Sequence, residues 1–133
     1  MRAVIDTNVF VSSFFGENPR TVIDKWFSGD MTLCASGPIL KEYFEVMGRF
    51  QFEDDNLLLR LMAAVEKNSN LIFVENPKEE QWIKGDPADN KFIACAIALK
   101  AMYIISGDSH LKKAAKIGTI RILSPSEFLK VIA

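Results

Sequence analysis

Four acidic residues are placed where they could act together: Asp6, Glu42, Asp89 and Asp108. Asp6 and Asp108 each follow a short apolar run that predicts a buried strand. Glu42 and Asp89 fall in the first turns of predicted helices. Ligands of an open parallel sheet bind outside the carboxyl ends of its strands. Carboxylates that lose water together repel one another, and hard divalent cations with oxygen ligands are their ordinary neutralisers. The four acids therefore predict a site for Mg²⁺ or Mn²⁺ at one edge of the sheet.

Each of these acids also has a local alternative. Asp6 opens an Asp-Thr-Asn sequence that suits helix capping, and Asp89 would be a first-turn acid that favours the helix dipole. Asp108 lies in Gly-Asp-Ser, a common turn sequence. Glu45 shares a helix with Glu42, and spacing does not choose between them. Only the joint placement of the four acids favours a functional site over these local roles.

Strands and helices alternate along the chain. Strands are predicted at residues 2–5, 31–36, 70–74, 103–106 and 119–123. A helix is predicted over 57–67, another begins with Asp86 as N-cap and Pro87 in its first turn, and a short basic helix covers 109–116. Such alternation is typical of βαβ crossovers. The expected fold is α/β, a three-layer α/β/α sandwich with a central parallel sheet of five strands.

Length and composition predict one globular domain over residues 1–133, with 49% hydrophobic residues and a formal net charge of -1. No apolar stretch is long enough to cross a bilayer, and the N-terminus lacks secretory features, so we expect a cytoplasmic protein without membrane contact. Cys34 and Cys95 lie in apolar segments, and we expect neither a disulfide nor a cysteine metal site. The near-neutral charge leaves nucleic-acid contacts to local clusters such as Lys112, Lys113 and Lys116.

Other chemistries find little support in the residues. His110 is the only histidine, and no serine lies in a nucleophile-elbow pattern, which disfavours a serine hydrolase. No glycine-rich phosphate loop is present. A phospho-accepting receiver domain needs an acid pair after its first strand and a lysine after its last, and this chain has neither.

Four short motifs in order along the whole chain resemble the PIN domain family. They are Asp6-Thr7-Asn8-Val9, Leu40-Lys41-Glu42-Tyr43, Asp86-Pro87-Ala88-Asp89-Asn90-Lys91-Phe92 and Tyr103-Ile104-Ile105-Ser106-Gly107-Asp108. The chain is most similar to the VapC-like ribonucleases, toxins of toxin–antitoxin pairs. This resemblance implies a PIN-like sheet of about five strands between helices. It also implies metal-dependent endonucleolytic cleavage of RNA, and occasionally of DNA structures.

The resemblance also assigns roles position by position. The four acids of the family match Asp6, Glu42, Asp89 and Asp108; Asn8 and Ser106 match polar positions that support the acids or the metal; Asp86 matches an outer-shell partner. Met102 stands where this branch often has an acid. Because that position precedes the fourth strand, away from its carboxyl end, the substitution leaves the four-acid site untouched.

The predicted function is hydrolysis of RNA phosphodiester bonds by a water molecule that carboxylate-bound Mg²⁺ or Mn²⁺ activates, with one ion or two. Asp6, Asp89 and Asp108 are the expected inner ligands, and Glu42 is expected to hold a second ion or to position the water. The alternative is a non-catalytic PIN scaffold that binds RNA or protein. Such a scaffold would be expected to lose at least one of the acids.

The expected partners are an RNA substrate and a small antitoxin, or a second copy of the chain in a homodimer. An antitoxin would cover exposed apolar surface and reach the acidic rim with an arginine. The candidate apolar residues are Phe10, Phe14, Phe15, Trp26 and Phe27. Residue by residue, their alternative is ordinary core, but large apolar patches rarely stay open on monomers.

Overall fold

The computed structural model describes residues 1–49, 55–78, 89–108, 111 and 116–132 of the chain. The described strands are β1 (Arg2–Ile5), β2 (Thr32–Ser36), β3 (Leu71–Val74), β4 (Tyr103–Ile105), β5 (Lys116–Ile117) and β6 (Ile120–Leu123). The described helices are α1 (Thr7–Ser12), α2 (Glu17–Phe27), α3 (Gly37–Met47), α4 (Asp55–Glu66), α5 (Asn90–Ala98) and α6 (Pro125–Ile132), and a 3₁₀ turn at Ser13–Phe15 follows α1.

The strands form one sheet in the order β3-β2-β1-β4-β6-β5, parallel except for β5. In the register of the central pair, Ile5 lies beside Ile105, so β1 and β4 end at the same level. The residues that follow, Asp6 and Ser106, are therefore neighbours across the sheet. This arrangement confirms the predicted α/β fold and its mostly parallel sheet.

The predicted count of five strands is wrong, because β5 adds a sixth. Lys116, which we expected at the end of a basic helix, instead pairs with Arg121 in a hairpin that turns at Gly118 and Thr119. Gly118 has a φ of 58°, a conformation that glycine adopts without steric cost. A strand of two residues is too short to show a hydrophobic period, so the pattern could not reveal it.

The core corrects the expectation of an exposed aromatic surface. Phe10 and Trp26 are 1% and 0% exposed, and Phe10 stacks on Tyr43 with ring centroids 4.2 Å apart. Helix α1 packs against α3, and α2 packs against α6, so these helices bury side chains beyond the face of the sheet. Phe14 and Phe27 are partly buried against the same core, while Phe15 remains 74% exposed.

Helix α3 begins directly where β2 ends. The Ser36 hydroxyl accepts a hydrogen bond from the Ile39 amide at 3.3 Å as N-cap, and Pro38 lies in the first turn. Gly37 is the first residue of the helix. A Cβ at this position would lie 2.6 Å from the Glu75 carbonyl oxygen, so only glycine fits. The immediate start keeps the first two turns of α3 next to the end of the sheet.

Cys34 and Cys95 are buried free thiols. Burial raises the pKa of Cys34 to about 11 and that of Cys95 to about 12, which keeps both protonated at neutral pH. Within the described ranges, every helix is too short or too polar to cross a membrane.

Candidate functional site

A small cavity of about 100 Å³ lies at the carboxyl ends of β1 and β4. Its lining brings together all four predicted acids with four neighbours: Asp6, Thr7, Asn8, Glu42, Val46, Asp89, Phe92 and Asp108. Asp6 and Asp108 follow strands β1 and β4, Glu42 lies on α3, and Asp89 directly precedes α5. The sheet edge therefore gathers carboxylates from four separate parts of the chain.

Asp6 is 4% exposed and both of its carboxylate oxygens accept hydrogen bonds. Oδ1 accepts from the Val9 amide at 2.9 Å, so the capping role considered from the sequence is real. Oδ2 accepts from the Ser106 hydroxyl, and Asp6 lines the cavity. Desolvation raises the pKa of Asp6, and the charge of Asp108 raises it further, while the hydrogen bonds from Ser106 and Val9 oppose the shift.

Ser106 connects the two strand-end acids. Its side chain is fully buried, donates to Asp6 and accepts from the Asp108 amide at 2.9 Å. Asp108 in turn accepts at Oδ1 from the Leu111 amide at 3.2 Å, so it also serves the turn role that its sequence allows. One hydroxyl thus fixes the relative position of both acids.

Glu42 is the glutamate that α3 places at the cavity. Its Oε2 accepts from the Thr7 hydroxyl at 2.8 Å and lies 3.3 Å from Lys91 Nζ. Glu45 does not line the cavity, and its carboxylate lies 3.9 Å from Lys41 Nζ. The structure therefore separates two residues that spacing could not.

Asp89 and Asn8 complete the polar lining. Asp89 directly precedes α5, and its side chain makes no capping hydrogen bond to that helix; its position beside the N-terminus of α5 still suits the helix dipole. Asn8 lines both the cavity and an adjoining groove. Asp86, the proposed outer-shell partner, lies outside the described residues, as do Lys112 and Lys113. Lys116 is exposed on β5, three strands from β1.

Sequence reasoning missed Thr7 and Lys91, which contact Glu42 from two other elements. Thr7 follows Asp6 directly, and Lys91 lies two residues after Asp89. It also missed Tyr43, whose buried hydroxyl donates to the Ile5 carbonyl and ties α3 to the end of β1. The available signal was adjacency to a predicted acid, which is weak because most neighbours of a site residue have no role in it.

The donor chemistry of the cavity fits a hard divalent cation. Its four acids offer carboxylate oxygens, which are the ligands that Mg²⁺ and Mn²⁺ prefer. Zinc sites, by contrast, are usually built from nitrogen and sulfur ligands. Among the described residues, no three acidic, histidine or cysteine side chains lie close enough together to hold one metal ion. We infer that Asp89, Asp108 and Glu42 would have to approach Asp6 to bind one ion together.

A groove of about 490 Å³ adjoins the cavity and shares Asn8 and Asp108 with it. The rest of its lining is Val9, Ser12, Pro19, Gly107 and Pro125. A third cavity of about 510 Å³ lies between α5 and the turn that joins β5 to β6, but none of the acidic residues that the structure describes lines it. The groove is therefore the larger space that leads to the four acids.

Two comparisons with known proteins bear on this site. A family model described as PIN domain matches residues 2–110. A protein of Methanocaldococcus jannaschii, described as uncharacterized, is 33% identical over an alignment of 144 positions, and the match covers 98% of this chain and 90% of that protein. The matched range of the family model contains all four acids of the cavity.

Proposed function

The chain belongs to the PIN domain family, whose members are generally nucleases, and we propose that it is a metal-dependent endoribonuclease that hydrolyses RNA phosphodiester bonds. The observation that carries this proposal is the cavity at the carboxyl edge of the sheet, which four acidic residues line and at which one of them, Asp6, is buried. Four acidic side chains around so small a space favour the binding of a cation that neutralises their charge.

We assign each acidic side chain a role from its position and its hydrogen bonds. Asp6, Asp89 and Asp108 would be the inner ligands of Mg²⁺ or Mn²⁺, and Glu42, held by Thr7, would orient the attacking water or hold a second ion. A bound ion would lower the pKa of that water and neutralise charge on the transition state. Ser106 and the Val9 amide keep Asp6 from turning away from the cavity.

The groove beside the cavity is the proposed path of the RNA. Its shared residues, Asn8 and Asp108, place any chain in the groove next to the acids. Pro19 and Pro125 offer apolar surface for a base, and Ser12 offers a hydroxyl for hydrogen bonding.

Cleavage of structured RNAs with Mn²⁺ and with EDTA tests the proposal. We expect the protein to cleave RNA with Mn²⁺ and not with EDTA. The Glu42→Gln and Asp108→Asn substitutions should each abolish cleavage. Glu45→Gln is the matched control, because Glu45 lies on the same helix but does not line the cavity; it should cleave at the wild-type rate. Cleavage that persists in EDTA would contradict the metal requirement.

A divalent-ion titration separates the enzyme from the non-catalytic scaffold. We expect the proposed nuclease to bind Mn²⁺ or Mg²⁺ at millimolar concentration or below, and calorimetry provides the measurement. RNA binding without any ion binding in that range would favour the scaffold and end the catalytic proposal.

We further propose that the protein is the toxin of a type II toxin–antitoxin pair acting in the cytoplasm, on the basis of its resemblance to VapC-like ribonucleases. A small antitoxin would block the cavity with an arginine, because a guanidinium fork satisfies two carboxylate oxygens at once. Phe15, which is 74% exposed, is an aromatic residue available for that antitoxin or for a homodimer contact. Expression should arrest growth, and co-expression of a short neighbouring gene should restore it; undisturbed growth would defeat the toxin role alone.

A further inference from the structure

Lys91 is a cation at the rim of the acidic cavity that the proposed mechanism leaves unused. Its ammonium lies 3.3 Å from Glu42 Oε2, the oxygen that also accepts from Thr7. The Lys91 side chain is only 19% exposed, and its Nζ lies 5.4 Å from the centre of the Phe92 ring. Glu42 and Phe92 both line the cavity, so together they hold the ammonium beside it.

An RNA backbone that approaches this cavity meets four acids in a protein whose net charge is already -1. Long-range attraction from the whole chain is therefore absent, and phosphate affinity must come from cations near the site. Lys116 lies three strands away from β1 at the edge of the sheet. Lys91, by contrast, already contacts one of the four acids.

The chemistry of an ammonium suits this position. Lysine binds phosphate as a compact point charge. It carries three N–H donors, so it can keep its contact with Glu42 while it donates to a phosphate oxygen. Its mostly buried stem also reduces the side-chain entropy that binding would otherwise cost.

We propose that Lys91 binds a non-bridging phosphate oxygen of the substrate RNA beside the four acids, with Glu42 holding the ammonium in place. This inference rests on the proposed ribonuclease function. Lys91 then offsets the repulsion between the acids and the RNA backbone and fixes the position of the phosphate relative to Asp6 and Asp108.

The test measures how salt affects binding of a fluorescein-labelled single-stranded RNA in EDTA, where the proposed cleavage cannot proceed. Lys91→Met keeps the stem and removes the charge. We expect its affinity to fall about tenfold. The slope of log K against log salt should fall in magnitude by about 0.7, the loss of one phosphate contact to a single strand.

Two variants control the interpretation. Lys41→Met removes an exposed lysine that pairs with Glu45 outside the cavity, and should leave both affinity and slope unchanged. Lys91→Arg retains the charge and should restore the wild-type slope. If Lys91→Met unfolds, Lys91→Gln provides the same comparison with a polar, uncharged head.

Calorimetry with Mn²⁺ distinguishes phosphate binding from support of Glu42. Lys91→Met should keep or improve Mn²⁺ affinity, because a competing cation is gone; a loss as large as that of Glu42→Gln would overturn the inference. An unchanged salt slope in Lys91→Met would overturn it as well, and would leave the ribonuclease proposal intact. Wild-type protein that binds RNA but never cleaves it removes the ribonuclease proposal, and the salt slopes still decide the role of Lys91. Wild-type protein that binds no RNA, either in EDTA or with Mn²⁺, removes both.

Discussion

One carboxylate oxygen of Asp6 accepts a hydrogen bond from the Val9 amide, and the other accepts one from the Ser106 hydroxyl. Burial and the charge of Asp108 raise the pKa of this carboxyl group. The folded protein therefore binds the Asp6 proton more tightly than the unfolded chain does. Between the ordinary pKa near 3.8 and the raised value, a rise in pH lowers the free energy of unfolding. The contribution of Asp6 to stability is greatest below that window and lost above it.

Asp6→Asn should abolish cleavage and yet raise the stability of the metal-free protein at neutral pH. The amide can still accept from Val9 through Oδ1, and it carries no charge for burial or Asp108 to oppose. Thermal melts in EDTA from pH 4 to 8 measure the effect. The wild type should lose stability relative to the variant as the pH rises through the titration of Asp6. A variant less stable than the wild type at pH 7 would contradict this reading of the site.

Ser106→Ala should shift the pH dependence of cleavage. The Ser106 hydroxyl lowers the pKa of Asp6, so its loss raises that pKa further and moves the acidic limb of the pH–rate profile to higher pH. The free energy of unfolding should also fall by about 1–3 kcal/mol, because the buried groups it serves lose a partner. Thr7→Val, which removes the hydroxyl that contacts Glu42, is the control. An acidic limb that moves equally in both variants would show that Asp6 does not set it.

At the scale of elements, the site depends on how abruptly α3 follows β2. Gly37 donates its amide to the Glu75 carbonyl at 3.0 Å, and this close approach brings the start of α3 against the segment that follows β3. Tyr43 then ties the second turn of α3 to the end of β1. These two contacts set where Glu42 meets the strand-end acids.

Gly37→Ala should reduce the free energy of unfolding by about 1–3 kcal/mol, as expected when an added carbon is forced into a packed region. The new Cβ would lie 2.6 Å from a backbone oxygen that cannot move without disturbing the end of β3. Urea denaturation gives the measurement. Gly107→Ala is a matched control, because a Cβ there meets no atom of the described residues within 4 Å. Equal stability of the two variants would show that the approach at Gly37 is not tight.

For the whole molecule, the acidic cavity predicts that divalent ions stabilise the fold. A ligand that binds only the folded state at a concentration 100 times its dissociation constant adds about 2.7 kcal/mol to the free energy of unfolding. In thermal melts over a Mn²⁺ series, the gain in the free energy of unfolding should approach this value. EDTA should reverse the gain, and the Asp108→Asn variant should not show it. Glu45→Gln should respond as the wild type does. A melting temperature that does not change with Mn²⁺ concentration would mean that the four acids bind no ion in the folded protein.

The sequence by itself determined the class of fold and the general position of the acids. Short apolar runs and helical periods predicted the alternating elements, and a parallel sheet brings strand ends to one edge, so Asp6 and Asp108 could be placed together without coordinates. These inferences succeed because they depend on local period and on a topological rule. The sequence did not predict strand β5, because a strand of two residues is too short to show a hydrophobic period.

Only the tertiary structure decided which side chains meet. The choice of Glu42 over Glu45 depends on how α3 packs against α1, and the contact of Glu42 with Lys91 joins residues 49 positions apart in sequence. Burial of Phe10 and Trp26 likewise follows from packing of helix on helix, which a count of aromatic residues cannot reveal. Local pattern fixes the element to which a residue belongs and the direction of its chain. The partners of its side chain are fixed by the relative placement of distant elements, which depends on the packing of the whole core.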